Sequence, residues 1–455
     1  MNPAAARHAL SPRARRGTWC ARVARGVLCA GWCAAGIVIA AGSAHSVDDA
    51  RARDAALAAV SADTLPAFQL VESFPVETIL DHPDLPQAAD VWLRMIRGAR
   101  ARLDFAEFYA SDTAGSRLGP IVEALEQAAD RGVRVRFLAE KKFHATYPVT
   151  LDRLASHPGI EVRLFDVAAV MGGVLHAKYF IADAREVYVG SQNFDWRALE
   201  HILELGAYVR DPAIAGAFEE VFEYDWALAG QGAPADAAAR DTRASGGYAP
   251  GQAASVLFPI GRGAMDTLRA TPVFSPQGWL PPGARWDLPE IVALIDHAQA
   301  TVRVQLLTYG TTSRDGRYFD ALETALRRAA ARGARVQMLL SAWAERRGMI
   351  EGLQSLTVLP NIEVRLVTIP RWSRGFIPYA RVTHAKYLVV DGNQAWLGTS
   401  NWERDYFHDS RNAGLILEGP SVGARLDRFF EDVWESPYAV PVDPCSTYVM
   451  PRIGG

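Results

Sequence analysis

Residues Val174–Arg197 read V-L-H-A-K-Y-F-I-A-D-A-R-E-V-Y-V-G-S-Q-N-F-D-W-R, and Val382–Arg404 read V-T-H-A-K-Y-L-V-V-D-G-N-Q-A-W-L-G-T-S-N-W-E-R. In the first stretch His176, Lys178 and Asp183 stand in the order H-x-K-x4-D, with Gly190, Ser191 and Asn193 beyond. His384, Lys386, Asp391, Gly398, Thr399 and Asn401 repeat those offsets in the second. A lone histidine beside a lysine carries little information; a copy matched over eighteen residues carries a good deal. Composition sharpens the point. Of 48 basic residues only four are lysine: Lys141, Lys142, Lys178 and Lys386. Arginine serves everywhere else, so lysine at both motif positions marks a demand for a compact ammonium that guanidinium does not meet.

The duplication extends outward from the motifs. Arg102–Tyr109 and Val302–Tyr309 alternate apolar and polar residues, as half-buried strands do. Each leads to an Ala/Leu/Arg-rich helical stretch, Gly119–Arg131 and Phe319–Arg332, stopped by Gly132 and Gly333. Strands follow at Val133–Ala139 and Ala334–Leu340, then at Ile160–Leu164 and Ile362–Leu366, and then come the motif strands. This order predicts an α/β protein with a largely buried mixed sheet in each half.

Both copies resemble the paired HKD motif of the phospholipase D superfamily, whose two halves together form one phosphodiesterase site. The likeness runs from about Gln69 to the C-terminus. It is similar in detail to the lysosomal phospholipase D-like 5′-exonucleases of animals: L-V-E-S at Leu70–Ser73, D-W-R at Asp195–Arg197, E-L-G at Glu204–Gly206 and G-T-S-N-W at Gly398–Trp402. The resemblance implies a duplicated phospholipase D fold: two mixed β-sheets flanked by helices, related by pseudo-two-fold symmetry, with one site between them. It also implies that the motif aspartates, Asp183 and Asp391, are structural. It further implies that a carboxylate from each half orients the histidine of the other. Glu204 and Asp409, 28 and 25 residues after their histidines, are the candidates.

A phosphodiester repels nucleophiles through its charge and has a poor alkoxide leaving group. A neutral imidazole that attacks phosphorus splits this step into two through a phosphohistidine. A second, protonated imidazole gives its proton to the leaving oxygen and then takes one from the incoming water or alcohol. His176 and His384 supply this pair, with His176 the nucleophile by superfamily analogy. Lys178, Lys386, Asn193 and Asn401 are expected around the equatorial oxygens, with hydroxyl donors from Ser191 and Thr399. No metal or cofactor is required. Trp196, Trp402, Tyr406 and Phe407 are expected either in a groove or in the core. Arg371-Trp372-Ser373-Arg374-Gly375-Phe376 is basic, aromatic and present only in the second half. It is expected at the mouth of the site, where Arg371, Trp372 and Arg374 bind substrate. His82, His144, His157, His201, His297 and His408 have no matching environment and are expected to be structural or exposed.

At 455 residues and a net charge of −3, the chain is enzyme-sized and lacks the overall field of a nucleic-acid-coating protein. Five arginines between positions 13 and 25 precede the uncharged run Gly26–Ala44, the pattern of a secretory signal or single N-terminal anchor. That orientation puts the body outside the cytoplasm, periplasmic, secreted or membrane-anchored. Cys20, Cys29 and Cys33 lie in this leader, leaving Cys445 alone in the body and no intrachain disulfide there. The expected organisation is a leader over residues 1–45, a stalk over 46–66, a first half over 67–228, a linker over 229–254 and a second half over 255–455. Three functions compete: a nuclease on single-stranded nucleic acid, a phospholipid hydrolase or transphosphatidylase of phospholipase D or cardiolipin synthase type, and a non-catalytic scaffold. The intact H-x-K pairs count against the last.

Overall fold

The computed structural model describes residues 66–231, 253–261, 264–313 and 315–454. The leader, the stalk up to residue 65 and most of the linker lie outside the described residues. The first half contributes β1 (Phe68–Ser73), β2 (Arg102–Glu107), β3 (Ala110–Ser111), β4 (Arg134–Glu140), β5 (Ile160–Phe165), β6 (Lys178–Ala182), β7 (Glu186–Gly190), β8 (Phe194–Asp195) and β9 (Glu204–Arg210). The second contributes β10 (Ala254–Gly261), β11 (Ala264–Ser275), β12 (Thr301–Leu306), β13 (Arg335–Ser341), β14 (Ile362–Val367), β15 (Tyr387–Val390), β16 (Gln394–Gly398), β17 (Asn412–Glu418) and β18 (Ala439–Pro441).

The first sheet runs β1-β9-β7-β6-β2-β4-β5 and the second β10-β11-β17-β16-β15-β12-β13-β14-β18. Without the two added edges, β10 and β18, the orders are the same, strand for strand. In each, the three strands carrying the predicted βα repeat are parallel, and the hairpins of the motif run antiparallel to them. Gly132 and Gly333 sit at φ +87° and +100°, the left-handed conformation that ends a helix at little cost only for glycine. At its other end the predicted linker is shorter than expected. The helix Pro212–Gln231 carries on past residue 228, and β10 opens at Ala254.

Both motif strands are buried on both faces, which explains their unbroken apolar reading. Tyr179 and Ile181 of β6 and Tyr387 and Val389 of β15 enter one cluster shared by the two halves. Phe180 and Ala182 point instead to the outer core of the first half, and Leu388 and Val390 to that of the second. Helices Ala88–Gly98 and Gly119–Asp130 cover the first outer face through Trp92, Met95, Ile121 and Leu125. Asp287–His297 and Ala321–Ala331 cover the second. Pro212–Gln231 and Pro420–Trp434 feed the shared cluster through Phe218, Phe222, Phe429 and Phe430.

Candidate active site

Each motif histidine sits just before its strand, and its backbone is tied to the other half. The N–H of His176 donates to Arg411 O at 2.8 Å, and that of His384 donates to Leu203 O at 2.8 Å. Arg411 and Leu203 immediately precede Asn412 and Glu204, the first residues of β17 and β9. The same crossing that fixes a histidine's backbone therefore delivers the side chain that holds its ring. His384 Nδ1 lies 2.9 and 2.8 Å from the two carboxylate oxygens of Glu204. His176 Nδ1 lies 3.0 Å from Asn412 Oδ1. Glycines make room for these strands: a Cβ on Gly206 would fall 2.4 Å from the Tyr188 hydroxyl, and one on Gly414 would fall 2.7 Å from Leu397 O.

The expectation for Asp409 is corrected here. Its carboxylate accepts from Arg404 Nη1 at 2.6 Å and faces that arginine rather than His176. Asn412 takes its place, and it stands 28 residues after His384, the same offset as Glu204 from His176. The equal spacing is written in the sequence, but an asparagine there is not a carboxylate. The amide's orientation follows from its neighbours. Asn412 Nδ2 donates to Tyr406 O at 2.7 Å, and Thr399 Oγ1 donates to Asn412 Oδ1 at 2.9 Å. Asn412 Oδ1 therefore faces the ring, His176 Nδ1 carries the hydrogen, and Nε2 keeps a bare lone pair.

Lys178 and Lys386 are wholly buried, and each ammonium donates to the carbonyl of the histidine two residues before it, both at 2.6 Å. Burial and the two lysines hold both histidines well below the usual imidazole range. Burial pushes Lys386 down to about 7 and Glu204 up to about 7, each shift opposed by the other group.

His176, His384, Asn193 and Asn401 open onto one pocket of about 360 Å³. Much of the rest of its wall comes from the carboxyl ends of parallel strands, where open α/β sheets place ligands, with Ile202, Tyr379, Val382 and Tyr406 closing it from other segments. Phe108 and Tyr109 follow β2, Phe143 and Tyr147 follow β4, Leu307 follows β12 and Trp343 follows β13. None of the lining residues carries a formal charge apart from a protonated histidine. The rings form a contiguous wall: Phe108–Phe143 at 4.1 Å, Tyr109–Tyr147 at 4.8 Å between centroids, and Phe108 edge-on to His176 at 5.0 Å. The D-W-R segment backs this wall. Asp195 accepts from the Arg197 N–H at 2.6 Å and holds its guanidinium, which lies 5.4 Å over the Tyr147 ring. These aromatics outside the motifs were not singled out from the sequence, although F-Y closes the predicted strand Arg102–Tyr109.

Other predicted residues fall into two groups. Asn193 and Asn401 line the pocket, each with a buried Oδ1 that has no partner. Tyr406 also lines it, edge-on to His176 at 4.8 Å, whereas Trp402 and Phe407 are core. Ser191 and Thr399 do not line it, which corrects their expected role as donors to substrate. Ser191 Oγ donates to Leu205 O at 3.1 Å and accepts from Leu205 N at 3.0 Å, while Thr399 holds Asn412, so each hydroxyl anchors the strand that supplies a histidine partner. Nor do Arg371, Trp372 and Arg374 line the pocket. Trp372 packs on His201 at 4.9 Å and backs the cluster of Ile202, Val382 and Trp343, which faces the pocket, with Arg371 and Arg374 exposed. Asp183 accepts three successive backbone N–H groups, from Arg100, Ala101 and Arg102, and Asp391 does the same for Gln299, Ala300 and Thr301. Among the other histidines, His82 is buried on Glu72 at 2.7 Å and His144 meets Asp152 at 2.7 Å.

Two histidines from duplicated halves that open onto one pocket, each with a buried lysine bonded to its carbonyl behind it, define a phosphodiesterase site of the phospholipase D type. The family described as cardiolipin synthase, PLD-like domain, matches residues 92–226 and 291–434, and the chain belongs to it. The chain is 30% identical over 410 residues to 5′-3′ exonuclease PLD4 of Mus musculus, covering 82% of this chain and 79% of that one. It is 30% identical over 414 residues to 5′-3′ exonuclease PLD3 of Macaca fascicularis, covering 83% and 82%. It is 29% identical over 394 residues to Phospholipase D Z of Dictyostelium discoideum, covering 83% and 91%. Among solved structures, phosphatidylserine synthase of Haemophilus influenzae Rd KW20 shares the fold, with a TM-score of 0.54 at 14% identity over 78% of this chain and 85% of that one.

Proposed function

We propose that this phosphodiesterase removes nucleotides from the 5′ end of single-stranded nucleic acid through a phosphohistidine on His176. The observation that carries the reading is the aromatic wall of Phe108, Tyr109, Phe143 and Tyr147 beside His176 in an uncharged pocket. Every base has a face that stacks on such rings, at ~1–3 kcal/mol per base. The two relatives named as 5′-3′ exonucleases support the same reading.

In the first step the bare Nε2 of His176 attacks phosphorus. A P–N bond forms and the P–O bond to the leaving alkoxide breaks. Glu204, bonded to Nδ1, offsets the burial and lysine charge that hold His384 low, and the protonated ring gives that oxygen its proton. Water then attacks, His384 takes its proton, and the P–N bond breaks to free His176. Lys178 and Lys386 supply positive charge beneath the phosphate throughout. The division of labour follows from the ring partners: a carboxylate stabilises an imidazolium, whereas an amide oxygen only selects the tautomer.

A phospholipid substrate is the second reading, favoured by the relative named Phospholipase D Z. The two part in a side-by-side assay of single-stranded oligonucleotide and phosphatidylglycerol vesicles. The nuclease reading expects the oligonucleotide to shorten from its 5′ end, and it expects Tyr109→Ala and Tyr147→Ala to weaken oligonucleotide binding while sparing a small chromogenic diester. Lipid cleavage with the oligonucleotide intact overturns it. We further propose that the body works outside the cytoplasm, on the strength of the arginine-flanked apolar run before Ala44. No helix among the described residues is long and apolar enough to cross a membrane. A reporter fused after Gly455 that is active only in the cytoplasm contradicts this address.

A further inference from the structure

Glu107 is the last residue of β2, and the register of β2 against β6 sets it opposite Lys178. It is 1% exposed and Lys178 is fully buried. Its carboxyl bonds the backbone N–H of Phe194, and its Oε2 has no hydrogen-bond partner. A buried carboxyl left half-bonded is costly unless a charge faces it. Lys178 from β6 faces it, and Tyr188 of β7 is also near. Lys178 in turn is faced by Glu107 of β2, Glu204 of β9, Lys386 and His176. Burial pushes the Glu107 carboxyl well up and the Lys178 amine well down, and each group opposes the other's shift.

The second half lacks this arrangement. Pairing Val302 with Val390 and Gln305 with Tyr387 runs on to Leu306 opposite Lys386. The ring partners differ in the opposite sense, a carboxylate at His384 and an amide at His176. Each half's His/Lys pair therefore has a carboxyl group, but at the second it meets the imidazole and at the first the lysine.

We propose that Glu107 is a positioning residue that holds Lys178 as the ammonium under the phosphate, so that the first half keeps its cation without lending charge to the nucleophilic histidine. This deepens the phosphodiesterase reading of the same site and rests on it. The chain's four lysines make a direct test practicable. In protein labelled with carbon-13 at lysine Cε, four resonances report four titrations, assigned by replacing Lys141, Lys142 or Lys386 singly. Glu107→Gln keeps the shape and the Phe194 contact while removing the charge. It should lower the Lys178 midpoint by about one pH unit or more, a tenfold loss of ammonium, and leave Lys141 and Lys142 unmoved. The alkaline limb of kcat/KM toward bis(p-nitrophenyl) phosphate should move down with it, and Glu107→Asp should restore much of both. An unchanged Lys178 midpoint overturns the inference, as does a uniform loss of activity at every pH. Should the glutamine variant not fold, the wild-type carboxyl resonance decides: a Glu107 still protonated at a pH where Lys178 is charged overturns it equally. The titration needs no turnover. Uncut oligonucleotide alongside a moved Lys178 removes the nuclease reading and leaves this one standing.

Discussion

His384 is held by a carboxylate and His176 by an amide, and that difference divides the reaction between them. Glu204→Gln should lower kcat on oligonucleotide by roughly 10²–10⁴-fold, the scale of lost acid–base catalysis. The loss should be much smaller on bis(p-nitrophenyl) phosphate, whose leaving group needs little protonation. Equal losses on both would show that Glu204 serves only the fold. The pH dependence has a definite sign at each side. Lys386 is pushed down to about 7 and burial holds Lys178 well down too, so their ammonium ions disappear as pH rises and kcat/KM falls. Glu204 is pushed up to about 7, so it gains a proton as pH falls through that value and its support of His384 is lost. A bell centred near neutrality is expected, and a rate still climbing at high pH contradicts it. The histidines and lysines were legible from offsets alone, because chemistry repeated at fixed spacing leaves few alternatives. Asn412 was not, because an amide does not advertise itself as a histidine's partner; only its offset of 28 does.

At the scale of elements, the motif is a strand that begins at or just after the lysine and is followed at once by an aspartate. Asp183 and Asp391 follow the strand in the left-handed conformation, at φ +52° and +50°, and gather the three N–H groups that lead into β2 and β12. Asp183→Ala leaves those donors to water and should cost about 1–3 kcal/mol in urea unfolding, with kcat per folded molecule nearly unchanged. A selective loss of kcat would instead place Asp183 in the chemistry. The βα repeats were readable because helix-stopping glycines and alternating strands fall in the same order twice. β1 with β9, and β11 with β17, were harder. Their partners lie more than a hundred residues away, and nothing local states that Phe68 pairs with Val209. The Arg371–Phe376 loop was readable as unusual but not as a buttress, since that role depends on His201 from the other half. Arg371→Ser with Arg374→Ser should therefore lower the salt dependence of oligonucleotide binding only slightly, while Trp372→Ala should loosen the pocket wall and raise KM.

Over the whole molecule, the site exists only where the two halves meet, and a buried ion pair holds that junction. Asp225, on the last helix of the first half, accepts from Arg411 Nε and Nη2 at 2.8 Å each, both side chains fully buried. Arg411 also bonds Ser275 O at 2.8 Å, and its backbone carries His176. Arg411→Met strands the carboxylate and should cost ~3–5 kcal/mol, whereas pairing it with Asp225→Leu should recover much of that loss. The central claim is that this junction forms one site in which His176 carries the phosphoryl group. It is tested most directly by turning over an oligonucleotide labelled with phosphorus-32, quenching in alkali, which preserves phosphohistidine, and mapping the labelled peptide. The account predicts label on His176, absent from His176→Ala. Label on His384, or full turnover by a protein that never becomes labelled, would contradict it.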